Sequence, residues 1–200
     1  MLDQRDYTLI IDKSGSMSTV DPGKQRSRWD LIQESTLALA RKCDSLDSDG
    51  ITVYVFSGKF RCYENVNVSK VEQIFKENEP VGGTNLTSVL QDALNKFFQR
   101  KQNGQAKAGE TILVVTDGEP DNRSSVTEII IDASKRIDAD EELGISFIQI
   151  GNNLDATKFL KTLDDQLMDV GAKFDIVDTL TFDEMEDLTL TEVLLNAIYD

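Results

Sequence analysis

The chain has 200 residues, 40% of them hydrophobic, and its 36 acidic and 21 basic side chains leave a net charge of −15. That length and apolar content fit one domain over residues 1–200 with a sizeable core, while the negative charge disfavours nucleic acid and anionic membrane surfaces as partners. Histidine is absent, which removes Ser-His-Asp and Cys-His catalysis and the usual zinc sites.

The first residues, Met1-Leu2-Asp3-Gln4-Arg5-Asp6, contain no apolar region of a secretory signal, and no apolar run is long enough to cross a bilayer. A cytoplasmic location is expected. Tyr7 to Ile11 read as a buried strand, short and rich in β-branched residues, that ends on Asp12. A charge there is costly unless something pairs with it. Ser14 and Ser16 follow at alternate positions, with Gly15 between them. Asp12, Ser14 and Ser16 therefore offer one anionic and two neutral oxygens on a tight loop, a donor type that suits a hard cation. Capping of the next helix, or a simple turn, would use the same residues.

Met17 to Ser27 is polar, holds Asp21-Pro22-Gly23-Lys24 and reads as a loop, either inert or shaping access to the Asp12 loop. Arg28 opens a helix to about Cys43, with Trp29, Ile32, Thr36, Ala40 and Cys43 at helical spacing toward the core. After the turn Asp44 to Gly50, Ile51 to Phe56 is an apolar strand. The short connection Ser57-Gly58-Lys59 makes Phe60 to Val66 an antiparallel edge strand. Cys62 falls on that edge, and both cysteines are expected as free thiols. Val71 to Phe75 predicts a short helix before Pro80.

Gly82-Gly83-Thr84-Asn85 precedes an amphipathic helix marked by Leu86, Val89, Leu90, Ala93, Leu94, Phe97 and Phe98. Lys101 to Gly109 reads as an exposed loop. Thr111 to Thr116 is a second buried strand, ending on Asp117-Gly118-Glu119. Ser125-x-x-Glu128 predicts a capping box for a helix through Ile137, and Asp138 to Glu142 is a solvated acidic run. Ile145 to Ile150 is a strand ended by Gly151, and Asp155 is the expected cap of a helix carrying Phe159, Leu160 and Leu163. Phe174 to Val177 predicts a weak last strand, and Thr189-x-x-Glu192 opens a final helix with Val193, Leu194, Ala197 and Ile198 on one face. Alternating strands and helices imply an α/β fold with a doubly wound, mostly parallel sheet. Sites in such sheets lie at the carboxyl ends of strands, where Asp12 and Asp117 both stand.

Together, Asp12-x-Ser14-x-Ser16, Thr84 and Asp117 resemble the metal-ion-dependent adhesion site of von Willebrand factor type A (vWA) domains. Standalone bacterial vWA proteins are similar around Asp12 to Ser16 and Arg28-Trp29. The resemblance implies a Rossmann-like six-stranded sheet in the order 3-2-1-4-5-6 with strand 3 antiparallel. It also implies a divalent cation, Mg²⁺ with Mn²⁺ or Ca²⁺ as substitutes, touched directly by Ser14, Ser16 and Thr84. Asp12 and Asp117 would act directly or through water. The implied function is a protein-protein interaction module in which a partner's Asp or Glu carboxylate completes the metal's shell. Glu119 is expected at the surface rather than behind the metal, and Lys13 is expected to point away from it.

Two other readings remain open at this level. A Mg²⁺-dependent phosphatase of the haloacid dehalogenase type also begins with an Asp after its first strand, but it needs a second carboxylate two residues on, where this chain has Ser14. A purely structural vWA domain with a non-functional site is the other. Neither G-x-G-x-x-G nor a P-loop follows the first strand, and no enzyme activity is expected.

Overall fold

The computed structural model describes residues 2–46, 50–188 and 190–197. Strands β1 (Arg5–Asp12), β2 (Ile51–Phe56), β3 (Phe60–Val66), β4 (Gly109–Thr116), β5 (Leu143–Gln149) and β6 (Val177–Thr181) form one sheet. Their order is β3-β2-β1-β4-β5-β6. Every pairing is parallel except β2 with β3, whose tight connection is closed by Ser57 N–H donating to the Lys59 carbonyl at 2.9 Å. The fold and strand order expected from the sequence are therefore those observed.

Helices α1 (Arg28–Leu46), α2 (Val68–Glu77), α3 (Leu86–Gln102), α4 (Arg123–Arg136), α5 (Leu154–Gln166), α6 (Phe182–Asp187) and α7 (Leu190–Asn196) cover both faces. Successive residues of a strand point to opposite faces, so β1 feeds two cores. Leu9 and Ile11 join Trp29, Ile32 and Leu39 of α1 and Ile74 and Phe75 of α2 on one face. Ile10 joins Leu90 and Phe97 of α3, Ile130 of α4 and Phe159 and Leu160 of α5 on the other. Burial on both faces explains why β1, β4 and β5 read as continuous apolar runs rather than alternating ones. Among the described residues, no helix is long and apolar enough to cross a membrane.

Several boundaries differ from the sequence expectation, each for a local reason. Asn122, not Ser125, caps α4: its side chain accepts from Ser125 N–H, so Ser125 lies inside the first turn. Asn153, not Asp155, caps α5, accepting from the N–H groups of Asp155 and Ala156. Asn67 caps α2, which starts before Val71. Lys101 lies in the last turn of α3 rather than opening a loop, and it pairs with Asp138 and Glu142. The last strand is Val177–Thr181, beyond the predicted Phe174 to Val177. It runs on through polar Asp178 and Thr179 because it pairs on one side only, with β5, and Ser146 of β5 donates to Asp178 there. Thr181 with Glu184 forms a capping box that opens α6. The expected cap Thr189, the face residue Ile198 and positions 47–49 of the first turn lie outside the described residues.

The two candidate caps of α4 give a direct test. Asn122→Ala should lower unfolding free energy by about 1 kcal/mol in denaturant titration, whereas Ser125→Ala should stay within about 0.5 kcal/mol of wild type.

Candidate functional site

The two strands flanking the switch in strand order, β1 and β4, both deliver an oxygen cluster at their carboxyl ends. Asp12 is the last residue of β1 and is 0% exposed; Asp117 follows β4 and is 1% exposed. Both Asp12 oxygens are engaged within the chain: Oδ1 accepts from Ser14 N–H at 2.6 Å and Oδ2 from the Thr116 hydroxyl at 2.7 Å. Burial pushes the Asp12 carboxyl up from 3.8 to about 6; the bonds from Ser14 and Thr116 pull it down, and Asp117 adds a small upward push.

A single turn of 3₁₀ helix, Gly15–Ser18, carries the chain away from β1 and turns Ser16 back toward β4. Ser14 Oγ lies 3.0 Å from Ser16 Oγ, and Ser16 Oγ donates to Asp117 Oδ1 at 2.8 Å. A third loop closes on the first two. Val81 N–H donates to the Lys13 carbonyl at 2.7 Å, and Gly15 N–H donates to the Gly82 carbonyl at 3.0 Å. Gly82 has φ +91, and a Cβ there would meet Ser57 Oγ at 3.3 Å, so a residue without a side chain suits this close approach. Asp121 then clasps Thr84 from the β4 side. Its N–H donates to the Thr84 carbonyl at 2.9 Å, and its Oδ1 accepts from Thr84 N–H at 3.2 Å. Thr84 is buried where the three loops meet.

The five residues singled out from the sequence thus stand on three loops bonded to one another. Their chemistry is two carboxylates and three hydroxyls. Among the described residues, no group of three or more His, Cys, Asp or Glu gathers in a metal-holding cluster, so any cation here would rely on hydroxyl oxygens. The oxygens bond one another at ordinary hydrogen-bond lengths. A metal–oxygen bond of about 2.1 Å places adjacent octahedral corners about 3 Å apart, and the Ser14–Ser16 and Ser16–Asp117 oxygen separations match it.

Sequence reasoning missed three residues. Asp121 carried no motif. Arg28 read as a helix start and as part of the resemblance to bacterial vWA proteins, with no role at the cluster, yet its Nη1 donates to Asp117 Oδ2 at 2.7 Å. Asp21 read as part of a loop, either inert or shaping access to the Asp12 loop, and it grips Arg28 through two bonds of 2.8 and 2.6 Å. The Arg28 pairing holds the Asp21 carboxyl below its ordinary range, and the same bond raises the Arg28 guanidinium. Glu119 turns away from the cluster and pairs with Arg123 one helical turn on.

A sequence-family model described as the vWA domain found in the TerF C terminus matches residues 5–199. No curated protein matches the chain by sequence. Among solved structures, the SpRpn10 VWA domain aligns with a TM-score of 0.64 at 11% identity, covering 93% of this chain and 96% of that one. The manganese-loaded TRAP protein of Plasmodium vivax aligns with a TM-score of 0.61 at 17% identity, covering 98% of this chain and 74% of that one. At these identities the likeness is one of fold.

The raised carboxyl of Asp12 predicts how metal-free stability responds to pH. Its neutral form favours the folded state at pH values below about 4, and that contribution is lost as pH rises through about 6. In chelator, Asp12→Asn should therefore be more stable than wild type at pH 7.5, by on the order of 3 kcal/mol. The gap should close as pH falls from 6 toward 4, as read from thermal unfolding.

Proposed function

We propose that this chain, which belongs to the vWA-TerF-like family, is a protein-interaction module whose contact with its partner runs through a divalent cation. The residues that would hold the cation are Asp12, Ser14, Ser16, Thr84 and Asp117. The observation that carries this reading is the run of oxygens from Ser14 through Ser16 to Asp117, spaced at 3.0 and 2.8 Å as adjacent corners of an octahedron. A vWA fold supports an interaction role, and the manganese-loaded TRAP protein shares that fold.

Roles divide by what each group already touches. Each oxygen of Asp12 and of Asp117 already accepts one bond within the chain, and these two carboxylates act on the ion directly or through water. Ser14, Ser16 and Thr84 are the direct donors. Mg²⁺ is the expected ion, and Mn²⁺ or Ca²⁺ suits the same hard oxygens. When bound, the ion would supply an open coordination position with uncompensated positive charge. The three hydroxyls are neutral, so an Asp or Glu side chain of the partner protein completes the balance, in a contact that desolvation strengthens relative to bulk water. The rest of the surface, at net charge −15, repels polyanions, including nucleic acid and anionic membranes. We propose no enzyme activity: the second carboxylate of a phosphatase is replaced by Ser14, and no histidine is present as a base. Two free cysteines fit a reducing, cytoplasmic setting.

One observation favours a second reading. The Arg28 guanidinium already bonds Asp117, so one carboxylate of the set has a cation from the chain itself. In that reading the loops are held by Arg28 and the domain binds its partner through another face. Calorimetry separates the two. Mg²⁺ or Mn²⁺ should release or absorb heat on binding wild type and give none with Asp12→Ala; equal heats in both would refute the site. The partner captured in Mg²⁺ but lost in EDTA should then carry one acidic residue whose change to Asn or Gln removes the Mg²⁺-dependent part of its affinity.

A further inference from the structure

The Arg28 guanidinium sits where a cation has little intrinsic reason to be. It opens a 19-residue helix, and a helix N-terminus carries positive partial charge that disfavours a cation. The side chain is nonetheless 11% exposed and held by three charge-assisted bonds, two to Asp21 and one to Asp117 Oδ2. Its slot is built for it. Gly151, just past β5, has φ +77, and a Cβ there would stand 2.6 Å from Arg28 Cζ and 2.7 Å from Nε and Nη2. Arg28 N–H is in turn fixed by the Thr19 carbonyl at 2.9 Å, and the turn carrying Asp21 is closed by Lys24 N–H on the Asp21 carbonyl at 3.0 Å. Four segments therefore place one guanidinium on one oxygen of a candidate metal ligand.

We propose that Arg28 is a built-in counter-cation that keeps the site's affinity for a divalent ion low until an anionic group of the partner arrives, and that Asp21 sets how much of that positive charge reaches Asp117. This rests on the metal reading above and extends it to regulation of the same site. Asp117 offers Oδ1 to the serine side and Oδ2 to Arg28, so a divalent ion bound on the serine side and the guanidinium act on one carboxylate. Like charges a few ångströms apart repel, and burial limits the screening that water and salt provide. Asp21 draws part of the guanidinium's charge the other way through a two-bond grip, the arrangement that arginine makes best with a carboxylate. A partner carboxylate bound to the ion offsets the repulsion. Ion and partner then bind with positive coupling, each raising the affinity for the other by the same factor.

The probe is Mn²⁺ alone, titrated by calorimetry into wild type, R28Q, R28K and D21N, each first checked for an intact fold by thermal unfolding in chelator. Removing the charge in R28Q should tighten Mn²⁺ by about tenfold or more, given the size of unit-charge interactions near a protein surface. R28K, which keeps the charge but not the fork, should stay as weak as wild type. D21N, which leaves Arg28 with Asp117 alone, should weaken Mn²⁺ severalfold. A strut with no electrostatic role would instead lose affinity in both Arg28 variants. The proposal is overturned if R28Q binds Mn²⁺ no more tightly than wild type, or if D21N binds as tightly as wild type. Should R28Q fail to fold, the D21N result decides alone. If wild type binds Mn²⁺ and Asp12→Ala does not, failure of the R28Q expectation sinks only the counter-cation role. If neither wild type nor R28Q binds Mn²⁺, the metal reading falls with it.

Discussion

A carboxylate buried at the end of a central strand is the constraint on which the upper rim of this protein depends. Asp12 is wholly out of water, and an ionised group there must be stabilised by hydrogen bonds or by a counter-charge. The surrounding backbone supplies the first. Ser14 N–H folds back on Oδ1, which starts the 3₁₀ turn, and Thr116 reaches across from β4 to Oδ2. The turn then presents Gly15 N–H to Gly82, and Lys13 receives Val81, so the loop before α3 is fastened to the loop after β1. Asp121 finishes the ring by clasping Thr84 from the β4 side. Each bond is modest, about 1 kcal/mol net, or more where a carboxylate accepts. Their effect is to hold oxygen donors on rigid supports, which is what a binding site requires.

The parallel sheet explains why these groups meet at all. Parallel strands emerge at one edge, and the reversal of order between β1 and β4 sends their following segments to opposite faces of the sheet. The chain leaving β1 goes to α1 and its core, while the chain leaving β4 goes to α4 and the other core. The gap between them is filled by Ser16, Asp117 and, from the α1 side, Arg28. A helix start, a turn and a strand end that lie far apart in the sequence thus become one charged network.

That topology also decides what could be read from the sequence. The apolar runs of β1, β2, β4 and β5 and the helical spacing in α1 and α3 were legible because burial on one or both faces leaves a periodic trace. Asp12, Ser14 and Ser16 form a short local pattern, whereas Thr84 and Asp117 were joined to them through the resemblance to vWA domains. Arg28, Asp21 and Asp121 were not legible as members of the cluster, since each acts through a tertiary partner and leaves no periodic or local signature. The helix caps failed differently. Asn122 and Ser125, or Asn153 and Asp155, both offer a capping oxygen within one turn, and only the backbone geometry chooses between them. β6 was misplaced because its second half is polar, and the apolar Phe174 to Val177 pulled the expectation toward the chain before it.

The two ends of the β1–β4 pair make different provision for a buried carboxylate. At the lower end Glu110 is 1% exposed; burial pushes its carboxyl up, and Arg100 and Thr8 pull it down. Arg100 pairs with one oxygen of Glu110, and the Thr8 hydroxyl donates to the other at 2.6 Å. The chain supplies its own cation there, and Thr8 and Glu110 tie β1 to β4. At the upper end Asp12 also receives a hydroxyl, from Thr116, but its second bond comes from the Ser14 backbone N–H rather than from an arginine. Arg28 stops short, on Asp117. Burial holds both carboxyls above their ordinary range, and the two ends differ in the second bond: an arginine at Glu110, a backbone N–H at Asp12.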